Sequence, residues 1–332
     1  PETDITSLGF DSRHATAGQL FFAVKGSASD GHDYMAQATA NGAAAVVCER
    51  LPEEPFPGVA YIVVADSSAA LGTIASRFYG EPSHKLKLVG VTGTNGKTTT
   101  ATLLYDLFRR LGYKAGLIST VVYRIDNETL PSTHTTPDAI RLNAMLAEMA
   151  ERGCDYCFME VSSHSIVQER IAGLTFAGGI FTNITHEHLD YHGTFAEYIR
   201  AKKRFFDRLL KGAFALVNAD DRNGAVMVQN SAATTYTYAL RSFSDFRCRI
   251  LENTPEGMLL ELDGQQVWTR FLGRFNAYNL AAVYGAARLL GADCDETLQA
   301  LSTLTPVNGR FDTLHSPDAV SYTHLTLPTI RL

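Results

Sequence analysis

Runs of consecutive apolar residues, spaced by segments of helical period, divide this chain into two textures. In residues 1–86 the stretches "QLFFAVKG", "AAAVVCE" and "YIVVAD" read as short strands buried on both faces. Between them "GHDYMAQATANGA" has the spacing of a helix that stops at Gly42, and "GEPSHKL" has the Gly and Pro punctuation of a linker. From Lys87 onward, strand-like runs alternate with longer helices. "LKLVGVTG", "AGLIST", "CFMEV", "GGIFTNI" and "GAFALVNA" are the strand candidates. A helix from Lys97 to about Leu111 carries Leu103, Leu104, Leu107, Phe108 and Leu111 on one side and ends at Gly112. Pro137 opens a helix that Gly153 closes, and Thr194-x-x-Glu197 is a capping box for "FAEYIRAKKRFFDRLL". "FNAYNLAAVYGAARLLG" is a further helix. Strand–helix alternation predicts an α/β fold with a mostly parallel, doubly wound sheet. The expected organisation is a small N-terminal α/β domain over 1–86, a central domain over 87–309, and a stub over 310–332. "SYTHLTLPTIRL" near the end has no clear periodicity, and the 22 residues after Arg310 are too few for a core of their own.

Composition narrows the class more than it names one. With 332 residues, 45% hydrophobic and 19% charged, the chain has the balance of a globular α/β protein of at least two domains. A net charge of −6 argues against a general nucleic-acid binder. No apolar run has transmembrane length and no charged-then-apolar leader opens the chain, so a cytoplasmic location without membrane attachment is expected. Five scattered cysteines fit reduced thiols better than a disulfide framework. Cys154 and Cys157 form a C-x-x-C, but they lead into a strand, where residues three apart face opposite sides, and no second pair completes a zinc site.

The candidate chemistry starts at "VGVTGTNGKTTT", residues 89–100. Strand, glycine-containing loop and helix follow in the order that builds a phosphate cradle. Gly93 and Gly96 let backbone N–H groups approach phosphate oxygens, Lys97 supplies positive charge, and Thr98 offers a hydroxyl to Mg²⁺. Thr94, Asn95 and Thr99 complete the loop. One position departs from G-x-x-x-x-G-K-[ST]: Val91 stands where the first glycine would be. A nucleotide, ATP, is expected; the loop alone leaves open whether water, a hydroxyl or a carboxylate receives the phosphate.

The variant "GTNGKTT" resembles the Mur ligase family and its relatives, the folylpolyglutamate and cyanophycin synthetases. The resemblance extends in order through "DSR", "LFFAVKGSASDGHDY", "HTTPD", "MEVSSHSIVQERI", "THEHLDYHGT", "VNADD", "GRFNAYNLAA" and "PVNGR", from about residue 5 to 315. In such a family the loop begins at Gly93, which accounts for Val91. The resemblance implies ATP-dependent amide formation through an acyl phosphate. It implies the branch that adds a diamino acid, meso-diaminopimelate or L-lysine, to the D-glutamate of UDP-N-acetylmuramoyl-L-alanyl-D-glutamate in peptidoglycan precursor synthesis. Two Mg²⁺ ions are implied, with Glu160 and Thr98 sharing one, and His188 and a CO₂-derived carbamate on Lys202 serving as further ligands. Lys97, Glu160, His188 and Lys202 are thus the expected catalytic set.

For the UDP-substrate the resemblance implies Ser12 and the loop Ser27, Ala28 and Ser29 on the uridine and diphosphate. It implies His134, Thr135, Thr136, Ser162, Gln168 and Arg170 on the sugar and peptide. Asn276, Asn279 and Arg310 are implied on the nucleotide side. The residues themselves permit plainer roles: a polar loop with solvated imidazoles around His188, a solvated basic helix face around Lys202, turn capping for the serines, and helix-start positions for the asparagines. His134 also stands where the family often has asparagine. The tail echoes only the Tyr and His of the segment that begins the family's third, Rossmann-like domain, so that domain is expected to be essentially absent and this chain alone inactive. A monomer is expected. The readings left open are another Mur ligase, close to MurF, and a non-catalytic nucleotide-binding module.

Overall fold

The computed structural model describes residues 4–26, 29–187 and 189–306, and the backbone of two short strands, Thr313–Ser316 and Ala319–Tyr322. Ser27, Ala28, His188 and Arg310 lie outside the described residues.

Two compact units divide the chain. The first joins the residues up to Lys85 with two later pieces, Pro137–Glu148 and His164–Leu174. Its sheet is β1 (Ser7–Gly9), β2 (Gln19–Phe22), β3 (Ala45–Cys48) and β4 (Ala60–Val63), all parallel and in that spatial order. The helices are α1 (Met35–Ala40) and α2 (Ser67–Phe78). Phe21, Val46 and Cys48 face one way into a cluster with Met35 and Ala38, whereas Leu20, Phe22 and Val47 face the other way toward Leu71 and Ala75. In β2 and β3 that period-2 split is why the chain reads as continuous apolar runs, since both faces are covered. The edge strand β4, expected buried from "YIVVAD", is instead largely exposed, Ile62 at 45% and Val63 at 55%. Ala139 packs into the second cluster, which is what brings its helix into this unit. At Gly72 a Cβ would lie 2.7 Å from the Ala172 carbonyl, so the 164–174 piece sits directly on α2.

The second unit holds an 11-stranded sheet. In chain order its strands are β5 (Lys87–Thr92), β6 (Ala115–Ile118), β7 (Val122–Ile125), β8 (Glu128–Pro131), β9 (Tyr156–Glu160), β10 (Gly178–Phe181), β11 (Phe214–Asn218), β12 (Thr234–Ala239), β13 (Phe246–Thr254), β14 (Gly257–Leu262) and β15 (Gln265–Thr269). Their spatial order is β15-β14-β13-β12-β11-β10-β5-β9-β6-β7-β8. Pairing is parallel from β13 through β6 and antiparallel at both flanks. The helices of this unit are α3 (Lys97–Arg110), α6 (Leu189–His192), α7 (Phe195–Asp207), α8 (Gly224–Val228), α9 (Arg274–Leu289) and α10 (Cys294–Thr303); α4 (Ala139–Glu151) and α5 (Ser163–Val167) lie mostly in the first unit.

Val89 and Val91 of β5 point into a large cluster with Leu103, Leu104 and Leu107 of α3 and Leu280 and Val283 of α9. On the opposite face Gly90 and Gly179 lie against Phe205 of α7, where a Cβ would come within 2.6 and 2.8 Å of the ring. Val91 is therefore a wholly buried core residue, not a defective loop position. Cys154 and Cys157 are both buried free thiols, and burial pushes Cys157 well above the usual thiol range. Among the described residues no helix is long and apolar enough to cross a membrane.

Candidate functional site

From β5 the chain runs first to β6 and β9 on one side, and later to β10 on the other. The carboxyl ends of β9, β5 and β10 thus meet where the winding reverses, the place where open α/β sheets collect ligands. Residues 93–96 leave β5 there. Gly93 has φ 149° and Gly96 φ 85°. A Cβ on Gly93 would fall 2.0 Å from Thr182 Oγ1, and one on Gly96 2.5 Å from Asn279 Oδ1. Both glycines are required by close approach as well as by backbone conformation.

Thr182 and Asn183, at the end of β10, fix this loop and were not anticipated from the sequence. Thr182 Oγ1 donates to the Asn95 carbonyl at 2.6 Å, and Asn183 Nδ2 donates to it at 3.1 Å. Asn95 N–H donates to Asn183 Oδ1 at 3.0 Å, and Thr94 N–H to the Asn183 carbonyl at 2.8 Å. Thr94 Oγ1 accepts from Thr185 N–H at 3.0 Å and lies 3.2 Å from the Tyr198 hydroxyl. Their only sequence signal was two polar residues ending a strand beside the glycine loop.

No side chain caps the N-terminus of α3, whose N-cap is Gly96. A 14-residue helix thereby presents its positive end and first-turn N–H groups to the loop. Lys97 Nζ donates to the Gly93 and Thr94 carbonyls at 3.0 and 2.7 Å. Thr98 is buried and Thr99 half-buried on the same turn. Asn276 and Asn279 are buried in α9; Asn279 Nδ2 donates to Asn276 Oδ1 at 3.3 Å, and Asn276 Nδ2 to the Leu272 carbonyl at 2.9 Å. Asn279 thus reaches the loop, while Asn276 serves as its support.

Glu160 ends β9 in register with Val91. It is wholly buried, and Thr120 donates to both of its oxygens: N–H to Oε1 at 2.6 Å and the hydroxyl to Oε2 at 3.2 Å. Thr136 Oγ1 donates to the Glu160 carbonyl at 2.8 Å and accepts from Ser162 N–H at 3.3 Å. Thr135 Oγ1 is 3.1 Å from Thr120 Oγ1. His134 keeps its imidazole exposed; its backbone is what is fixed, through the buried Tyr123 hydroxyl, which donates to its carbonyl at 2.5 Å.

Lys202 is 1% exposed, and its Nζ donates to the Gly93 carbonyl at 2.8 Å, with the Tyr198 ring centroid 4.7 Å away. On α7 it shares the buried face with Tyr198, Ala201, Phe205 and Phe206. Burial first, and the nearby Lys97 charge second, push the Lys202 amine well below the ordinary lysine range, with Glu187 opposing. The reading of a solvated basic face is excluded at this position; Lys203, which pairs with Asp207, is the residue on the polar side. The capping box survives in half, since Thr194 Oγ1 accepts from Glu197 N–H at 3.2 Å while the Glu197 carboxylate pairs with Arg200.

In the first unit, Ser12 is buried, with its hydroxyl donating to Gln37 Oε1 at 2.7 Å, and Ser29 is exposed, its carbonyl accepting from Gly26 N–H at 2.9 Å. Arg170 donates twice to Gln168 Oε1, at 2.9 and 2.6 Å, so these two expected residues are joined.

The sequence matches the family described as Mur ligase middle domain over residues 91–287, and the one described as Mur ligase family, catalytic domain, over residues 4–79. The chain belongs to the Mur ligase family. The UDP-N-acetylmuramoyl-L-alanyl-D-glutamate–2,6-diaminopimelate ligase of Bacteroides thetaiotaomicron is 57% identical over 318 residues, covering 96% of this chain and 66% of that protein. The ligase of the same name from Cytophaga hutchinsonii is 54% identical over 344 residues, covering 99% and 71%. This Mur ligase chain therefore spans about two thirds of the length of these curated relatives. A solved structure of another ligase of that name has TM-score 0.85 at 27% identity, covering 96% of this chain and 66% of that one. MurF from Acinetobacter baumannii, at TM-score 0.66 and 23% identity over 97% of this chain and 68% of its own, shares the fold.

The described residues fit the Mg²⁺-bound nucleotide that membership of this family implies. Mg²⁺ takes few protein oxygens when nucleotide phosphates complete its shell. Glu160 is buried at the end of β9 and Thr98 is buried in the first turn of α3, oxygen donors of the kind such an ion would take from the protein.

Proposed function

We propose that this chain carries the nucleotide and acceptor sites of a MurE-type ligase. Such an enzyme joins 2,6-diaminopimelate to the D-glutamate of UDP-N-acetylmuramoyl-L-alanyl-D-glutamate in the cytoplasm. The supporting observation is the convergence of a buried carboxylate, Glu160, and a buried amine, Lys202, on the glycine loop that Thr182 and Asn183 clamp.

MgATP supplies the phosphoryl group that turns the peptide carboxylate into an acyl phosphate, from which the incoming amine displaces phosphate. The residues of the chain hold and neutralise. Backbone N–H groups of the loop and the first turn of α3 take phosphate oxygens. Lys97 exchanges its two loop carbonyls for phosphate, a lateral move for a three-donor ammonium. Glu160 and Thr98 would hold one Mg²⁺, with His188 proposed for a second. A neutral amine is what CO₂ attacks, and the depressed Lys202 amine is suited to carbamate formation, which would turn the expected cation into an anionic oxygen ligand. Asn279 would lie on the nucleotide side. Thr135, Thr136, Ser162, Gln168 and Arg170 would contact the sugar and peptide, and Ser12 with residues 27–29 the UDP.

The test is phosphate release by this chain extended to the length of its relatives. ATP, Mg²⁺ and UDP-N-acetylmuramoyl-L-alanyl-D-glutamate are supplied with either meso-diaminopimelate or L-lysine. Release with diaminopimelate is expected. Release with lysine alone would move the assignment to the other diamino acid, and release with neither would refute it.

A further inference from the structure

The link from β6 to β7 carries a residue that no motif marked. After Ile118 the chain reverses within four residues. Ser119 locks the turn: its hydroxyl donates to the Val122 carbonyl at 2.8 Å and accepts from Val122 N–H at 3.2 Å, and its carbonyl accepts from Ser132 Oγ at 2.8 Å. Thr120 leaves this fixed turn with both donors aimed at the two oxygens of Glu160 and with Oγ1 3.1 Å from Thr135 Oγ1. A threonine hydroxyl has one proton. Thr120 Oγ1 donates toward both Thr135 Oγ1 and Glu160 Oε2, so its one proton is shared between Thr135 and the carboxylate.

We propose that Thr120 is a positioning residue that couples the acceptor-substrate side of the site, at Thr135, to the metal-holding carboxylate of Glu160; this rests on the function proposed above. Glu160 is wholly buried, so its orientation is set by its protein partners, and Thr120 occupies one lone pair on each oxygen. The remaining lone pairs are left for a cation. Donors outside a metal's own ligand set tune affinity by about 10–100-fold. Thr135 and Glu160 compete for the single Thr120 proton. When a donor group of the substrate takes the Thr135 Oγ1 lone pairs, the Thr120 proton passes wholly to Glu160 Oε2, and the carboxylate is held more firmly in the orientation that presents its free lone pairs to the metal. Substrate and metal binding then strengthen one another, and by linkage they do so by the same factor.

The test uses the 332-residue chain. Mn²⁺ is the paramagnetic probe, a non-hydrolysable ATP analogue is present, and UDP-N-acetylmuramoyl-L-alanyl-D-glutamate is added or withheld. The site of interest is the component of Mn²⁺ binding that Glu160→Gln removes. In the wild type, the substrate raises that affinity by about fivefold or more. Thr120→Val lowers it about tenfold and abolishes the substrate effect. Thr120→Ser, which keeps the hydroxyl, restores both. Thr120→Ala, which cannot overpack the turn, gives the same result as valine and serves if valine fails to fold. Wild-type affinity and coupling in the alanine or valine protein would overturn the inference, as would a folded serine variant that behaves like alanine. A wild type that binds neither Mn²⁺–nucleotide nor the UDP-peptide would overturn the functional reading with it.

Discussion

Replacing Lys202 by methionine keeps the length of the side chain and removes a buried amine. The amine is 1% exposed, holds the Gly93 carbonyl at 2.8 Å and lies over the Tyr198 ring. In the unfolded chain a lysine takes its proton near pH 10.4. In the folded protein, burial and then the Lys97 charge push proton uptake to well below that range. Between the two values the unfolded state binds more protons, so stability rises with pH, by at most about 1.4 kcal/mol per unit. The methionine variant lacks this slope. Its stability advantage over wild type is therefore greatest at the acid end of the window and shrinks as pH climbs toward 10.

Urea unfolding followed at Trp268 reads this out, because it is the single tryptophan of the sequence and lies on β15 of the second unit. With a urea slope of about 3 kcal/mol/M for a unit of this size, the wild-type midpoint gains about 0.5 M per pH unit relative to the variant in bicarbonate-free buffer. Other titrating groups cancel in the difference. A gap that stays constant from pH 7 to 9 would refute a desolvated amine. Bicarbonate should raise the wild-type midpoint and leave that of Lys202→Met unchanged, which separately tests carbamate formation.

Gly93→Ala places a methyl 2.0 Å from Thr182 Oγ1 and 2.9 Å from the Asn183 carbonyl. The second unit should lose about 1–3 kcal/mol and its thermal stabilisation by ADP should vanish; a wild-type response to ADP would contradict the clamp described above. Asp220 accepts from the N–H groups of Leu240, Arg241 and Ser242 and from the Tyr278 hydroxyl. Burial opposes its ionisation, but these donors outweigh it and hold the carboxyl well below the usual range. Asp220→Asn should cost about 1–3 kcal/mol at pH 7. Because the folded carboxyl stays ionised longer than the unfolded one, the wild-type advantage is full above about pH 4 and fades as the pH falls below it, which urea midpoints between pH 3 and 7 will show.

Local pattern was enough for much of this molecule. Continuous apolar runs announced β2, β3, β5, β9, β10 and β11, because strands covered on both faces cannot alternate with polar residues. The glycine loop was legible for a related reason: its function lies in backbone conformation and spacing over the seven residues of "GTNGKTT", and those are written consecutively. Even the burial of Lys202 was available in principle, since Tyr198, Ala201, Phe205 and Phe206 share its helical face and the flanking Lys203 and Arg204 concealed it.

What local pattern could not supply is whatever depends on distant segments meeting. Thr182 and Asn183 are 87 and 88 residues from the Asn95 they fix, and Thr120 is 40 residues from Glu160. A threonine at a strand end has no distinguishing local signature, because its partner is chosen by which strands become neighbours. The joining of residues 137–148 and 164–174 to the first unit has the same origin, as does the turn from parallel to antiparallel pairing at both flanks of the large sheet. By itself the sequence marked β2, β3, β5, β6, β9, β10 and β11, the helices α1, α3, α4, α7 and α9, and the phosphate loop, since each leaves its pattern within its own stretch of chain; β7, β8 and β12 to β15 left no such mark. Only the tertiary structure decided which hydroxyls and amides hold that loop and its carboxylate in place, since those bonds exist only once β5, β6, β9 and β10 lie in one sheet.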